Sequence, residues 1–146
     1  MKKFVRRIAT LMAVALMGAS MAACGDNAAE AAYITETEKL VDAMNAVTEK
    51  SAALDPNDLE GAKQLIEEVK APLVEFAAVE APERFAEAHA KYKSGCEAMV
   101  EYLDMTLEAL DPEKAADLDM EKFLSLIQTA EADLTEADTL MQEAIK

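Results

Sequence analysis

The residue types that carry most protein chemistry are scarce in this sequence. One histidine, His89, stands among 146 residues with two cysteines, four glycines and four prolines. There is no second histidine, no Cys-x-x-Cys-His for covalent haem attachment, and no Glu-x-x-His of the kind that builds a di-iron bundle site. Glycine-rich phosphate loops and Gly-x-Ser-x-Gly nucleophile elbows are missing too. No stretch carries the Asp-x-Asp-x-Asp-Gly loop of a hand-type calcium site. A nucleophile needs a base beside it, yet on one helix His89 and Cys96 stand about 10 Å apart along the axis, beyond hydrogen-bond reach. These absences exclude the familiar catalytic constellations, and a non-catalytic protein is expected.

Basic residues are also few, and they are unevenly placed. Lys2, Lys3, Arg6 and Arg7 open the chain with no acid among them, and Ile8 to Ala23 is then uncharged and rich in Leu, Met, Ala and Val. A basic start, a short apolar run and small residues are the layout of a secretory signal peptide. The apolar run is shorter than the roughly 20 residues that a comfortable membrane-spanning helix needs. It ends on Gly18, Ala19 and Ser20, followed by Met21-Ala22-Ala23-Cys24.

This last quartet resembles the lipobox of bacterial lipoproteins, in which small residues precede a cysteine; Met21 stands where leucine is usual. The resemblance covers only the leader and Cys24. It implies cleavage between Ala23 and Cys24 and thioether linkage of a diacylglyceryl group to the cysteine, usually with acylation, such as by palmitate, of the new amine. Each buried methylene contributes roughly 0.8 kcal/mol, so two or three chains anchor a protein where one does not. The membrane is therefore an expected partner through lipid on Cys24. The chain is expected in the cell envelope, on the extracytoplasmic side, periplasmic or at the cell surface. Gly25 after the anchor favours the outer membrane by analogy with lipoprotein sorting, if the host has two membranes. The competing reading is an ordinary cleaved signal with Cys24 incidental.

Without the leader, four of the 14 basic residues are gone and all 29 acids remain, which leaves a formal charge of −19. Such a field repels nucleic-acid phosphates and anionic headgroups, so nucleic acid is excluded as a partner. The remaining stretch of about 120 residues is the size of one domain and can bury a core without disulfides. If Cys24 is lipidated, Cys96 has no partner within the chain and is expected to be a buried small hydrophobe.

Beyond a short polar tether only Gly61 and Gly95 and Pro56, Pro72, Pro82 and Pro112 interrupt sequences dominated by Ala, Glu, Leu, Lys and Met. Nothing alternates with the two-residue period of a strand, so an all-α chain is expected. Phe85, His89, Tyr92, Cys96, Met99, Leu103, Thr106 and Leu110 recur at steps of four and three, a heptad seam widened by Ala88, Val100 and Leu107. Met120, Phe123, Ile127, Ala130, Leu134, Ala137 and Met141 form another, as do Leu59, Ala62, Ile66, Val69, Leu73 and Phe76. Tyr33, Thr37, Leu40, Met44, Val47, Ser51 and Leu54 form a more polar fourth. Asp55-Pro56 and Asp111-Pro112 each place an N-cap acid before a proline at the first helical position. Short connections make neighbours antiparallel.

The expected organisation is a signal peptide over 1–23, a lipidated cysteine and tether over 24–32, and an antiparallel up-down-up-down four-helix bundle over 33–146. Its helices are expected at roughly 30–54, 57–79, 82–110 and 113–145. Pro72 should kink or split the second, because its ring clashes with the Glu68 carbonyl. Ala53-Leu54-Asp55-Pro56 is echoed by Ala109-Leu110-Asp111-Pro112, and Asp58-Leu59-Glu60 by Asp119-Met120-Glu121. A duplicated helical hairpin and shared capping chemistry both account for the echo.

His89, Cys96 and Met99 share one face and include the soft ligands that suit copper(I) or haem iron. About 15 Å separates His89 from Met99 along the axis, so ligands from facing helices, such as Met44 or Met141, would be needed. Packing is the reading the spacing favours, and no metal and no cofactor is expected. The acid groups Glu67-Glu68, Glu80 with Glu83 and Glu87, and Asp117-Asp119-Glu121 read as solvated faces, with Glu87 paired to Lys91 four residues on. The expected function is a membrane-anchored helical binding or interaction module, with an envelope protein as its partner. The alternative is a metal or haem carrier using His89 from the bundle interior.

Overall fold

The computed structural model describes residues 28–55 and 57–146. The leader, the cleavage pair Ala23 and Cys24, and the first part of the tether lie outside them. Four helices account for most of what is described: α1 (Ala28–Ala53), α2 (Leu59–Ala77), α3 (Ala86–Ala109) and α4 (Met120–Ile145). One-turn 3-10 segments at Glu83–Phe85 and Ala115–Asp117 precede α3 and α4, and there is no strand among the described residues. The chain is all-α.

The heptad seams become the core, and α3 is its centre. It buries eleven of its 24 residues, against five of 26 in α4, so α3 is covered on two sides while its neighbours keep a wet face. Its closest packing is with α4 and its next with α2, and α1 packs on α2. Tyr92, Cys96, Met99, Leu103 and Thr106 all lie inside, joined by Tyr33, Leu40 and Met44 of α1, Val69, Leu73 and Phe76 of α2, and Leu134 and Met141 of α4. The widening runs further than the sequence pattern: besides Ala88, the residues Gly95, Ala98, Tyr102 and Met105 are buried, while Val100 and Leu107 are half-buried.

Small residues let α3 and α4 approach. Ala130 and Ala137 are fully buried, and a Cβ placed on Gly95 would fall 2.7 Å from Leu134 Cγ and 3.2 Å from the Leu134 backbone nitrogen. Charged pairs bridge each neighbouring pair of helices at the surface: Lys50–Glu68 between α1 and α2, Lys70–Asp104 between α2 and α3, and Lys122–Glu101 between α3 and α4. Exposed pairs of this kind contribute at most about 1 kcal/mol each. Lys91 does not pair with Glu87. It reaches across to Asp133 (3.3 Å) and Glu136 (2.8 Å) on α4, where two carboxylates offset one ammonium better than one does.

Helix starts differ from the expected ones for one physical reason. An aspartate can satisfy the backbone N–H two residues on in a turn, or cap a helix, and the Asp-Pro sequences do the first. Asp55 accepts from the Asn57 N–H and Asp111 from the Glu113 N–H. The true N-caps are Asp58, accepting from Gly61 N–H at 2.8 Å, and Asp119, accepting from Lys122 N–H at 2.9 Å. Helix α4 thus begins at Met120 rather than near 113, and residues 113–119 form turns and a 3-10 segment. Leu59 and Met120, both expected in the seams, are the first residues of their helices and lie exposed. At the other end, α1 starts at Ala28, so residues 28–32 belong to the helix and not the tether. Ala28, Ala29, Ala31 and Ala32 supply the strongest helix propensity available. Helix α2 is not split and runs through Pro72.

Candidate functional site

The chemistry-bearing side chains gather at one end of the helices, where α1 and α3 begin and α2 and α4 finish. Tyr33 enters from α1, Phe76 from α2, Phe85 from the 3-10 turn, and His89 and Tyr92 from α3. The Tyr33 ring stacks on Phe85 (5.4 Å between centroids) and meets His89 edge-on (5.5 Å). Phe76 stands edge-on to both His89 and Tyr92, at 5.5 Å each. Such contacts add about 0.5–1.5 kcal/mol each beyond burial. Heptad positions select these residues on each helix, and the packing of α1 and α2 onto α3 brings them together.

His89 is almost fully buried. Its Nδ1 lies 2.9 Å from the Tyr33 hydroxyl, and the nearby Val79 backbone favours a hydrogen on the ring. A neutral imidazole has one donor and one acceptor. Tyr33 donating to Nδ1 uses the acceptor and leaves the hydrogen on the other ring nitrogen. Burial holds the pKa of His89 below the usual histidine value, and the Lys93 ammonium one turn on pushes the same way. The phenol of Tyr33 is pushed up by burial and stays neutral.

The second polar tie is between Tyr92 and Asp138. The Tyr92 hydroxyl donates to Asp138 Oδ1 at 2.5 Å, and burial raises the Asp138 carboxyl above the usual range although the hydrogen bond opposes this. Beside it, Ser94 donates to Asp133 Oδ2 at 2.6 Å, and that hydrogen bond, with help from Lys91, lowers the Asp133 pKa. Arg84 closes the end: its Nε donates to the Ala144 carbonyl (2.6 Å) in the last turn of α4, and a guanidinium nitrogen to Glu30 on α1 (3.1 Å). A cation suits the unsatisfied carbonyls at a helix C-terminus.

The candidate ligands His89, Cys96 and Met99 are all buried on the inner face of α3, but they succeed one another along the helix and converge on no common point. Burial pushes the Cys96 thiol up to about 12, so it is a packed hydrophobe and not a thiolate. Among the described residues no three His, Cys, Asp or Glu side chains are grouped as metal ligands. The acid clusters disperse: Glu67 holds Lys70, Glu68 holds Lys50, Asp119 caps α4, and Glu80, Glu83 and Glu87 are exposed. Cys24 and Ala23 lie outside the described residues.

Two surface depressions accompany this core. A groove of about 370 Å³ between α2 and α3 is lined by Leu73, Val74, Ala77 and Val100 together with Lys93, Glu97, Glu101 and Asp104. A wider, polar one of about 670 Å³ lies at the far end, under the turns leading into α4. Sequence reasoning did not find Tyr33 and Asp138 as polar partners of the core. A tyrosine on a seam was the available signal for the first, and Asp138 beside Ala137 carried none. Comparisons of the chain with protein-family models, with curated proteins and with solved structures return no match.

Proposed function

We propose that this chain is a bacterial envelope lipoprotein, cleaved before Cys24, anchored by lipid on that cysteine, and serving through its helices as a non-catalytic binding or interaction module. The observation that carries the reading is the leader: four basic residues, an uncharged apolar run and Met21-Ala22-Ala23-Cys24. Several structural facts accompany it. Helix α1 starts four residues after Cys24, and among the described residues no helix is long and apolar enough to cross a membrane. His89 and Cys96, the side chains most suited to chemistry, are buried, the first with its Nδ1 bonded to the Tyr33 hydroxyl and the second as a neutral thiol.

The proposal includes an up-down-up-down antiparallel arrangement. Glu30 at the start of α1, Arg84 just before α3 and Ala144 at the end of α4 meet in one clip. At the opposite end, Leu54 after α1 abuts Gly61 in the first turn of α2. The partner is a second component of the envelope, and Gly25 favours outer-membrane placement, by analogy with lipoprotein sorting, in a host with two membranes.

The test is palmitate labelling and detergent phase partition of the full chain expressed in a bacterium. The wild type is expected to label and enter the detergent phase, and Cys24→Ser to do neither. A Cys24→Ser chain that still partitions into detergent would sink the anchor.

A further inference from the structure

We propose that Tyr33 and His89 form a proton-sensitive latch that holds the start of α1 on the other helices and releases it as the surroundings acidify. The latch joins α1 to α3, two helices whose closest packing is otherwise with α2 and, for α3, with α4. At this end the start of α1 is tied by the Tyr33 cluster and by the Glu30–Arg84 contact. Tyr33 is fully buried, and its hydroxyl has His89 Nδ1 as its partner.

Protonation changes what that partner can do. A neutral Nδ1 accepts the Tyr33 hydrogen, whereas an imidazolium carries a hydrogen at Nδ1 and can only donate. Tyr33 must then turn its oxygen toward the ring, and its own hydrogen loses its acceptor inside the core. A buried donor left unpaired costs about 1–3 kcal/mol. The Val79 backbone favours the charge, but burial and the Lys93 ammonium outweigh it. From α1 the ring faces the neutral phenol of Tyr33. From α2 and the turn after it the ring faces Phe76 and the Val79 backbone. From the 3-10 turn comes Phe85, with the Arg84 guanidinium 5.9 Å from its centroid. On α3 itself Lys93 repels the charge, and the Asp138 carboxylate of α4 is occupied by Tyr92. The Lys93 ammonium acts against an imidazolium, and among the described residues no carboxylate is hydrogen-bonded to the ring.

The sign follows from linkage. The folded histidine titrates below its ordinary value of about 6.5, so between the two values the opened state binds the proton and the closed state does not. Closure is favoured above pH 6.5 and loses ground as the pH falls through it. Between pH 7.5 and 5.5 the open population grows by at most about tenfold, the ratio set by a free histidine of pKa about 6.5.

Hydrogen–deuterium exchange of the full chain at the two pH values tests this, with labelling times scaled for intrinsic exchange. Peptides over 28–40 are expected to exchange three- to tenfold faster at pH 5.5, and peptides over 120–140 to keep their rate. His89→Gln, whose amide can accept from Tyr33 without titrating, should abolish the difference. Equal rates at both pH values in 28–40, an equal rise in all helices, or a rise that persists in His89→Gln would overturn the proposal. Should that variant not fold, an NMR titration of the wild type decides, because its lone histidine needs no assignment. A midpoint below 6.5 supports the latch, and one at or above 6.5 overturns it.

Discussion

Gly95→Ala reverses the usual effect of that substitution. In an exposed helix interior, alanine is favoured over glycine by about 1 kcal/mol. Gly95 is buried where α3 meets α4, and an added Cβ would stand 2.7 Å from Leu134 Cγ, 2.9 Å from Leu134 Cδ2 and 3.2 Å from the Leu134 nitrogen. Carbon atoms in good contact sit about 3.5–4.0 Å apart. One side-chain contact is therefore short by close to 1 Å, and it involves the branch point of a buried leucine, not a free end. Overpacking of this size costs about 1–3 kcal/mol. Set against the propensity gain, the net is a loss of about 1 kcal/mol, or roughly 4 °C in Tm for a domain of this size. Urea titration followed by circular dichroism measures it. The same substitution in a Leu134→Ala background adds the control. Leu134→Ala alone costs about 2–5 kcal/mol, and with the side chain gone Gly95→Ala should become neutral or stabilising. That gives a coupling of about 1–3 kcal/mol between the two sites. A Gly95→Ala protein about 1 kcal/mol more stable than wild type, with the same gain in both backgrounds, would refute the close approach.

Three further outcomes follow from the capping, the half-buried acid and the buried thiol. Asp119→Ala should lower stability by about 1 kcal/mol, as loss of an N-cap does, and Asp111→Ala by less; equal losses in urea titrations would contradict the assignment of the start of α4. Asp138 binds its proton more readily folded than unfolded, so its ionised form opposes folding at neutral pH and that opposition fades as the pH falls toward about 4. Asp138→Asn, which keeps an acceptor for Tyr92, should match or exceed the wild-type Tm at pH 7 and lose that advantage near pH 4; a constant deficit at both pH values would refute this. Cys96 should be alkylated by iodoacetamide at pH 8 at least about a thousandfold more slowly than in the urea-unfolded chain, since reaction needs the core to open; peptide mass spectrometry at Cys96 showing comparable rates would mean that α3 is not packed as described.

The four heptad seams were legible because burial is a one-dimensional signal: Tyr92, Cys96, Met99 and Leu103 recur with the period of a helix and must face inward together. The helix starts were not, because aspartate serves both as a turn former and as a cap, and the Asp-Pro pairs at 55 and 111 look like caps until Asp58 and Asp119 are seen to hold the backbone N–H groups. Partners across helices were hidden for a different reason. Spacing along one helix says which residues share a face but not what that face meets. Lys91 was therefore assigned to Glu87 on its own helix, although it belongs to Asp133 and Glu136. The Tyr33–His89 bond, spanning 56 residues, had no local trace at all. Gly95 could be read as an interruption of a helix but not as a point of contact, since only the facing Leu134 gives it that meaning.

The order of packing, with α1 on α2, α2 on α3 and α3 on α4, has a kinetic consequence. Most contacts join segments adjacent along the chain, and topologies of that kind close short loops and fold in microseconds to milliseconds. The α3–α4 hairpin, with the largest shared surface, is the natural nucleus, and α1 the last piece to dock and the first to leave. Stopped-flow measurements should then find that substitutions in the α3–α4 seam, such as Leu134→Ala, slow folding, while Tyr33→Phe mainly speeds unfolding. A chain exported unfolded would, on that schedule, be shaped within moments of its last helix emerging.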